Sequence, residues 1–269
     1  MTREMVLVEQ HDLIGIITIN NPKKKNAVNE EILKTIIKEL YSMEEQGIRV
    51  IILTAQGNNI FCSGYDITAS LPDYANMSLE QAMEEMERTD YVKQITRTIE
   101  KIGVPVIAMI KGHCIGAGLD IVAACDFRYA TSNVKFSIPP AKLGIVYNPE
   151  GIRRLINILG VPRAKELLFL GKSISAKEAL KYGLVHEILP DTKSLEDYTM
   201  VVANTLVQNA PLAVRGMKKI FRYLVEEQEL SREKNIEAAR LILKAINSED
   251  IEEAKIAFLE KRKPNFKGK

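Results

Sequence analysis

Two glycine-containing segments of the chain place small and polar residues shortly after apolar runs. The first, FCSGYDI at residues 61–67, follows RVIILTA, and the second, KGHCIGAGLD at residues 111–120, follows VPVIAMI. Both runs predict buried strands, and the second segment also predicts a helix start, where the first N–H groups have no partner within the helix. Two backbone N–H groups that converge from such loops would form an oxyanion hole, which stabilises negative charge developing on a carbonyl oxygen.

The glycines of these segments also allow simpler interpretations. Glycine-rich turns between a strand and a helix serve close packing in some proteins and bind phosphate in others. The segment GHCIGAG does not have the G-x-G-x-x-G spacing of a dinucleotide-binding loop. The residues alone therefore leave packing, phosphate binding and an oxyanion hole open.

The elements around the two segments predict an α/β fold. Residues 5–20 predict two paired strands, a helix is expected to begin near Asn29, and a longer helix is predicted for residues 78–102. DFRYAT and VKFSI predict further strands. From about Pro149 onward the chain is predicted to be almost wholly helical.

The composition argues against several classes of protein. Of the 269 residues 46% are hydrophobic, and 37 Lys and Arg against 35 Asp and Glu leave a net charge of +2, which does not predict a nucleic-acid partner. The three cysteines are expected to be free thiols, and neither they nor the three histidines show metal-ligand spacing. Without a signal peptide or a bilayer-length apolar run, the sequence predicts a cytoplasmic protein with no membrane partner.

Seven segments together resemble the crotonase (enoyl-CoA hydratase/isomerase) superfamily. They occur in the family's order and cover the chain nearly end to end: NNPKKKNAVN, FCSGYDI, KGHCIGAGLDIVAACDFRYA, FSIPPAKLGI, GIRRL, ISAKEALKYGLVHEIL and AFLEKRKPNFKGK. The resemblance implies a spiral core of strand–strand–helix turns at residues 1–210 and a C-terminal helical trimerisation region at residues 211–269. It also implies an acyl-CoA substrate, no further cofactor, no metal, and a homotrimer or a dimer of trimers.

The resemblance also assigns the residues of the site. The oxyanion donors would be the backbone N–H groups of Tyr65 and Ala117, which leaves the side chain at residue 65 free to vary. The loop at residues 23–27 would line the CoA adenine and phosphates, although a run of lysines is also typical of a solvated loop. The residues implied in CoA binding, the last two from a neighbouring subunit, are Lys24, Lys25, Ala27, Ser63, Tyr65, Asp66, Ile67, Phe258 and Lys261.

The residues at the family's two carboxylate positions bear on the reaction. Hydration in this family resembles chemistry with an acid and a base on either side of a water molecule. This chain has Asp120 at the first position and Pro140, which has no proton to transfer, at the second. The segments QITRTIEK, LGIVYNPEGI and SEDIEEAKIAFLEKRKPNFKGK instead resemble the branch that decarboxylates methylmalonyl-CoA, which also lacks the second carboxylate.

A decarboxylase of this branch would form a thioester enolate in the oxyanion hole and would need no base. The resemblance implies that Tyr147 orients the departing carboxylate. The chain departs from the branch at Tyr65, where the bacterial enzyme has His, and at Asp120, which replaces a longer Glu. Structural roles also stay open, because Tyr147 could pack, Tyr65 could form a lid, and Asp120 could complement its own helix N-terminus.

Two other functions stay open. An enoyl-CoA hydratase or isomerase would use Asp120 or Glu150 for proton transfer. The run Asn148, Pro149 and Glu150 also has the residue types of a helix cap, a first helical proline and a first-turn acid, and this helix start is the favoured interpretation. A non-catalytic binder of RNA or CoA is more remote, because RNA binding requires a basic face that a net charge of +2 does not predict.

Overall fold

The computed structural model describes residues 5–66, 74, 76–226, 232–262 and 264–265. Within these residues the strands form two sheets. The strands are β1 (Val6–His11), β2 (Ile14–Ile19), β3 (Val50–Ala55), β4 (Ile60–Cys62), β5 (Val106–Ile110), β6 (His113–Ile115), β7 (Phe127–Thr131), β8 (Lys135–Ser137), β9 (Ile174–Ser175) and β10 (Glu187–Leu189).

The larger sheet has the order β1-β2-β3-β5-β7-β10. Its first two strands form an antiparallel hairpin, in which Val6 lies opposite Ile19, and the other neighbours are parallel. Every residue of β3 and of β5 is buried, as expected for central strands of a parallel sheet that is covered on both faces. The predicted hairpin and the two predicted buried strands are confirmed.

The smaller sheet has the order β4-β6-β8-β9. Its first three strands are parallel and β9 is antiparallel to β8. In this sheet Cys62 lies opposite Cys114, and Cys114 lies opposite Phe136. Because β4 and β6 are parallel neighbours and both end near the opposed pair Cys62 and Cys114, the chain leaves both strands at the same edge of the sheet.

The helices in the described residues begin with α1, which starts as predicted. The side chain of its N-cap residue Asn29 accepts a hydrogen bond from the N–H of Ile32 at 3.0 Å, and two glutamates occupy the first turn. The helices are α1 (Glu30–Glu45), α2 (Leu79–Thr89), α3 (Tyr91–Lys101), α4 (Ala117–Ala124), α5 (Pro149–Leu170), α6 (Ala176–Lys181), α7 (Thr192–Gln208), α8 (Pro211–Glu226), α9 (Arg232–Ile246) and α10 (Glu249–Leu259). Short 3-10 helices occur at Pro22–Lys24 and Pro140–Leu143.

One prediction about these elements is wrong. The helix predicted for residues 78–102 is two helices, α2 and α3, because Asp90 between them has a non-helical ψ of 79°. The described region after Pro149 is almost wholly helical, as predicted, apart from two short strands: β9 pairs with β8, and β10 pairs with β7. Both strands are only two or three residues long and depend on partners far away in the sequence, so no local pattern indicates them.

The described residues divide into two compact units. The first unit contains both sheets, and its described residues lie within Met1–Ile67, Tyr91–Ser137 and Ile174–Gln228. The second lies within Thr68–Asp90, Ile138–Ser173 and Glu229–Lys269. The expected boundary near residue 210 falls between α7 and α8, which both belong to the first unit, and the trimerisation role of residues 211–269 stays a prediction.

The core of the first unit includes the face of the larger sheet that α7 covers. Leu195 and Ala203 of this helix pack with Ile52, Ile107 and Tyr129 from three neighbouring strands. Because α7 packs on this apolar face, it stabilises the larger sheet. None of the helices in the described ranges has both the length and the apolar character that a bilayer span requires.

Candidate active site

The two glycine-rich loops meet beside the smaller sheet. Gly64 and Gly116 each lie two residues beyond a member of the opposed pair Cys62 and Cys114. A Cβ built on Gly116 would lie 3.5 Å from the Cα of Gly64, and one built on Gly64 would lie 3.9 Å from the backbone nitrogen of Ala117. The strand register therefore brings together two loops that are about fifty residues apart in the sequence.

The first loop directs the N–H of Tyr65 away from its neighbouring strand segment. Val28 and Tyr65 form an isolated parallel bridge, in which the N–H of Val28 donates to the carbonyl of Gly64 at 3.0 Å and the N–H of Asp66 donates to the carbonyl of Val28 at 2.8 Å. In a parallel bridge these bonds use the residues on either side of Tyr65, so its own N–H points to the opposite side. Gly64 has a φ of +112°, which a side chain would disfavour.

The second loop presents the N–H of Ala117, which is the first residue of α4. The first N–H groups of a helix have no acceptor within the helix, and the helix dipole adds positive potential there. The N-cap residue Gly116 has a φ of +56°, and its own N–H is fixed by the carbonyl of Ser137 at 2.8 Å. The arrangement is compatible with two converging donors, and the donor roles of Tyr65 and Ala117 stay predictions.

Asp120 lies in the first turn of α4 and is buried, with 1% of its surface exposed. Its N–H donates to the carbonyl of Gly116 at 3.2 Å. A carboxylate in this turn is favoured by the positive end of the helix dipole, which is the structural role that the sequence leaves open. The same position puts a carboxyl group one helical turn from Ala117, so a chemical role for Asp120 also stays a prediction.

The lysine loop, residues 23–27, is hydrogen-bonded to the loop that carries Tyr65. The N–H of Ser63 donates to the carbonyl of Lys25 at 3.2 Å, and the hydroxyl of Ser63 donates to the carbonyl of Lys24 at 3.3 Å. The Nζ of Lys24 donates to Oδ2 of Asp66 at 2.7 Å. Ala27 is buried at the end of the same loop. Hydrogen bonds therefore connect four of the residues predicted to bind CoA: Lys24, Lys25, Ser63 and Asp66.

Asn26 is a structural residue of this loop that the sequence analysis missed. It is 2% exposed, it has a φ of +54°, and its Nδ2 donates to the carbonyls of Gln56 at 3.0 Å and Ile60 at 2.8 Å. Asn tolerates the left-handed region better than most residues, so the Asn that ends the lysine run was an available signal. Its bonds anchor the lysine loop to the segment that leads into β4.

Tyr147 and Glu150 flank the start of α5 in the second unit. The predicted helix start is confirmed, because Oδ1 of Asn148 accepts a hydrogen bond from the N–H of Gly151 at 2.8 Å and Pro149 is the first helical residue. Glu150 is a first-turn acid and, like Tyr147, is half-buried. Pro140 is buried and opens a 3-10 helix in the same unit. The catalytic roles of Tyr147 and Glu150 stay predictions.

The remaining residues predicted to bind CoA are Phe258 and Lys261, near the C-terminus, and Ile67, the last residue of the segment FCSGYDI. Phe258 is in α10 with 59% of its surface exposed, and the N–H of Lys261 donates to the carbonyl of Phe258 at 3.3 Å. Both belong to the second unit and are accessible on its surface. Ile67 lies outside the described residues.

The cysteines near the loops are not suited to nucleophilic catalysis. All three are free and buried, and burial raises the pKa of the Cys62 thiol to about 11 and that of Cys114 well above its usual value. Both thiols are therefore protonated at neutral pH, whereas the thiolate is the reactive form. Nδ1 of His113 accepts a hydrogen bond from the N–H of Lys135 at 3.1 Å, which is consistent with its predicted packing role.

The comparisons with known proteins define the class. The sequence matches the enoyl-CoA hydratase/isomerase family over residues 9–269, so the chain belongs to this family. It is 32% identical over 269 residues to methylmalonyl-CoA decarboxylase of Escherichia coli (strain K12), with all of both chains covered. It is also 32% identical over 267 residues to crotonyl-CoA hydratase of Syntrophomonas wolfei subsp. wolfei, with 99% of both covered.

A solved structure of methylmalonyl-CoA decarboxylase in complex with 2-nitronate-propionyl-CoA has a TM-score of 0.89 to this chain, with 31% identity and 99% of both chains covered. The predicted crotonase fold is therefore confirmed, and the protein is an enzyme of the crotonase superfamily. Because a decarboxylase and a hydratase are equally similar in sequence, identity does not distinguish between the two reactions.

Proposed function

We propose that the protein is a lyase that removes CO2 from methylmalonyl-CoA, or from a similar 2-carboxyacyl-CoA, to give propionyl-CoA or its analogue. The contact between the two glycine loops supports an oxyanion hole formed by the N–H groups of Tyr65 and Ala117. The observation that carries decarboxylation as the reaction is the buried Pro140 at the position of the family's second carboxylate. The decarboxylase relatives, which match the full length of the chain, support it.

The two donors would act on the thioester carbonyl oxygen. The bond between C2 and the carboxylate carbon breaks, its electron pair forms the C1–C2 double bond of an enolate, and CO2 leaves. The negative charge develops on the thioester oxygen, where the N–H groups of Tyr65 and Ala117 stabilise it. The enolate then takes a proton at C2 to give the acyl-CoA product. This route requires no carboxylate base.

The side chains of the second unit support decarboxylation rather than hydration. Pro140, at the position of the family's second carboxylate, is a buried proline that begins a 3-10 helix. Glu150 already serves the start of α5, where a carboxylate is favourable without any catalytic task. Tyr147 precedes this helix, and we assign its hydroxyl to orienting the departing carboxylate.

The substrate is carried as a CoA thioester, and no other cofactor is required by this reaction. We assign the adenine and phosphate contacts to the loop that contains Lys24, Lys25 and Ala27, with Ser63 and Asp66 beside it, and we also assign Ile67, the next residue in the sequence, to CoA binding. Lysine is a common partner of phosphate groups. Phe258 and Lys261 would close the CoA site of a neighbouring subunit in a homotrimer or a dimer of trimers. The cytoplasmic location stays a prediction.

The decisive experiment is mass spectrometry of the thioester pool after purified enzyme is incubated with methylmalonyl-CoA. We expect propionyl-CoA to form faster than in an incubation without enzyme. The Tyr147→Phe variant serves as the matched control, because it should bind substrate but turn it over more slowly. A pool that stays unchanged with the wild-type enzyme would overturn the decarboxylase proposal.

Hydration or isomerisation of an enoyl-CoA is the second candidate. It is favoured by the 32% identity to crotonyl-CoA hydratase and by the buried carboxyl group of Asp120 near the second donor loop. The same mass spectrometry with crotonyl-CoA tests it, since hydration adds the mass of one water molecule. Product that forms with the wild-type enzyme and disappears in Asp120→Asn, but not in Glu150→Gln, would assign the proton transfer to Asp120.

A further inference from the structure

We infer that Cys62 is a positioning residue that fixes the distance between the two N–H donors of the proposed oxyanion hole. This inference rests on the proposed function, because the donors matter only if an oxyanion forms between them. Cys62 is the last residue of β4 and is completely buried. Its side chain contacts the backbone of both donor loops.

The first contact is with the loop that carries Tyr65. The N–H of Gly64 donates to the sulfur of Cys62 at 3.4 Å, and the thiol lies 3.7 Å from the carbonyl oxygen of Gly64, to which it donates. Gly64 directly precedes Tyr65, so the sulfur holds the peptide group on the N-terminal side of the first donor. A change in the length of this side chain would change the direction of the Tyr65 N–H.

The second contact is with α4. A Cβ built on Gly118 would lie 2.5 Å from the Cβ of Cys62 and 2.9 Å from its sulfur, and both distances are shorter than any real Cβ contact. The backbone of α4 at Gly118, one residue beyond the predicted donor Ala117, therefore contacts the Cys62 side chain directly. The same side chain thus limits how closely α4 approaches β4.

The chemistry of the thiol fits a spacer rather than a reactant. Burial raises its pKa to about 11, so the sulfur is protonated and uncharged when the reaction takes place. Sulfur is larger than a hydroxyl oxygen and its bond to carbon is longer, so Ser at this position would bring the Gly64 peptide group closer. Ala would remove the atom that receives the Gly64 N–H and leave a gap under the loop.

The test compares the binding of 2-nitronate-propionyl-CoA with that of propionyl-CoA by isothermal titration calorimetry. The nitronate has a planar C2 conjugated with the thioester carbonyl, as the enolate does, whereas propionyl-CoA does not. The variants are Cys62→Ala and the more conservative Cys62→Ser. The matched control is Cys125→Ala, which removes the same buried sulfur from the residue that follows the opposite end of α4. Thermal melts establish that each variant is folded.

We expect the wild-type enzyme to prefer the nitronate and Cys62→Ala to lose about tenfold or more of that preference, since misplaced oxyanion donors stabilise charge poorly. Cys62→Ser should fall between them, and Cys125→Ala should keep the wild-type preference. A preference retained in folded Cys62→Ala, or lost equally in Cys125→Ala, would overturn the positioning role while leaving the oxyanion hole intact. A wild-type enzyme without any preference would overturn the proposed oxyanion hole itself, and the positioning role with it.

Discussion

Replacing Gly118 by Ala has two opposing effects on the free energy of unfolding, one from helix propensity in α4 and one from packing. Alanine is favoured over glycine inside a helix by about 1 kcal/mol. The new Cβ, however, would lie 2.5 Å from the Cβ of Cys62. Carbon atoms in contact lie about 3.5 Å or more apart, so the helix and β4 must separate by about 1 Å. Overpacking of this kind costs about 1–3 kcal/mol, so we expect the free energy of unfolding to fall by about 1 kcal/mol.

The same separation should reduce turnover, because it moves the N–H of Ala117 relative to that of Tyr65. A displacement of this size at a reacting centre lowers kcat by about 100-fold. Urea unfolding gives the stability, and the decarboxylation of methylmalonyl-CoA gives kcat. The control is Gly216→Ala in α8, where a built Cβ has no heavy atom within 4 Å. There the helix propensity acts alone, so stability should rise by up to about 1 kcal/mol and kcat should not change.

A Gly118→Ala enzyme that is more stable than the wild type and has the wild-type kcat would refute the close contact between α4 and β4. A double-mutant cycle makes the test more specific. Cys62→Gly removes the Cβ that residue 118 would meet, so it should recover part of the stability that Gly118→Ala loses. Additive effects on the free energy of unfolding, with no coupling between the two positions, would contradict the contact.

Three further predictions concern single side chains. Tyr147→Phe should lower kcat for methylmalonyl-CoA by about tenfold, or about 1.4 kcal/mol, and an unchanged kcat would remove its hydroxyl from the mechanism. Lys24→Ala should raise the KM for acyl-CoA without changing kcat, and an unchanged KM would contradict the CoA contact. The same variant loses the ion pair between Lys24 and Asp66, which should alter the free energy of unfolding by less than about 1 kcal/mol. The N–H of Ser194 donates to the Asp191 carboxyl and lowers its pKa. The ionised carboxylate therefore stabilises the folded state above the unfolded-state pKa, and this stabilisation is lost as the pH falls through the folded-state pKa. Asp191→Ala should therefore lower Tm at neutral pH, and a difference from wild type that did not shrink in acid would contradict this.

The sequence predicts best those elements whose signals are local. The start of α1 at Asn29 and the start of α5 at Asn148 are both capped by the predicted side chains. Each start depends on a side chain and an N–H three residues away, so the relevant residues stand next to one another in the sequence. The buried strands β3 and β5 are equally clear, because burial on both faces requires a continuous apolar run.

The smaller sheet could be predicted in this way only at β8, which lies in the predicted strand VKFSI. Its other strands, β4, β6 and β9, are two or three residues long, too short for an alternating pattern, and they form by pairing within the sheet. The break at Asp90 is similar, since neither Gly nor Pro marks it and the flanking helices belong to different compact units. The role of Asn26 was missed because its side chain donates to the carbonyls of Gln56 and Ile60, which are about thirty residues away in the sequence.

The same nonlocal pairing accounts for the geometry of the candidate site. Cys62 and Cys114 are opposed in parallel strands, and in each chain segment a glycine with positive φ follows two residues later, with the predicted donor directly after it. The predicted donors are thus placed by strand register and by glycine backbone conformation, neither of which depends on their side chains. A frame of this kind can stabilise an enolate whichever bond breaks to form it, which explains why a decarboxylase and a hydratase are equally similar to this chain. The choice of reaction must then depend on side chains outside the frame, and the two proposals differ at Pro140 and Tyr147 rather than in the geometry of the loops.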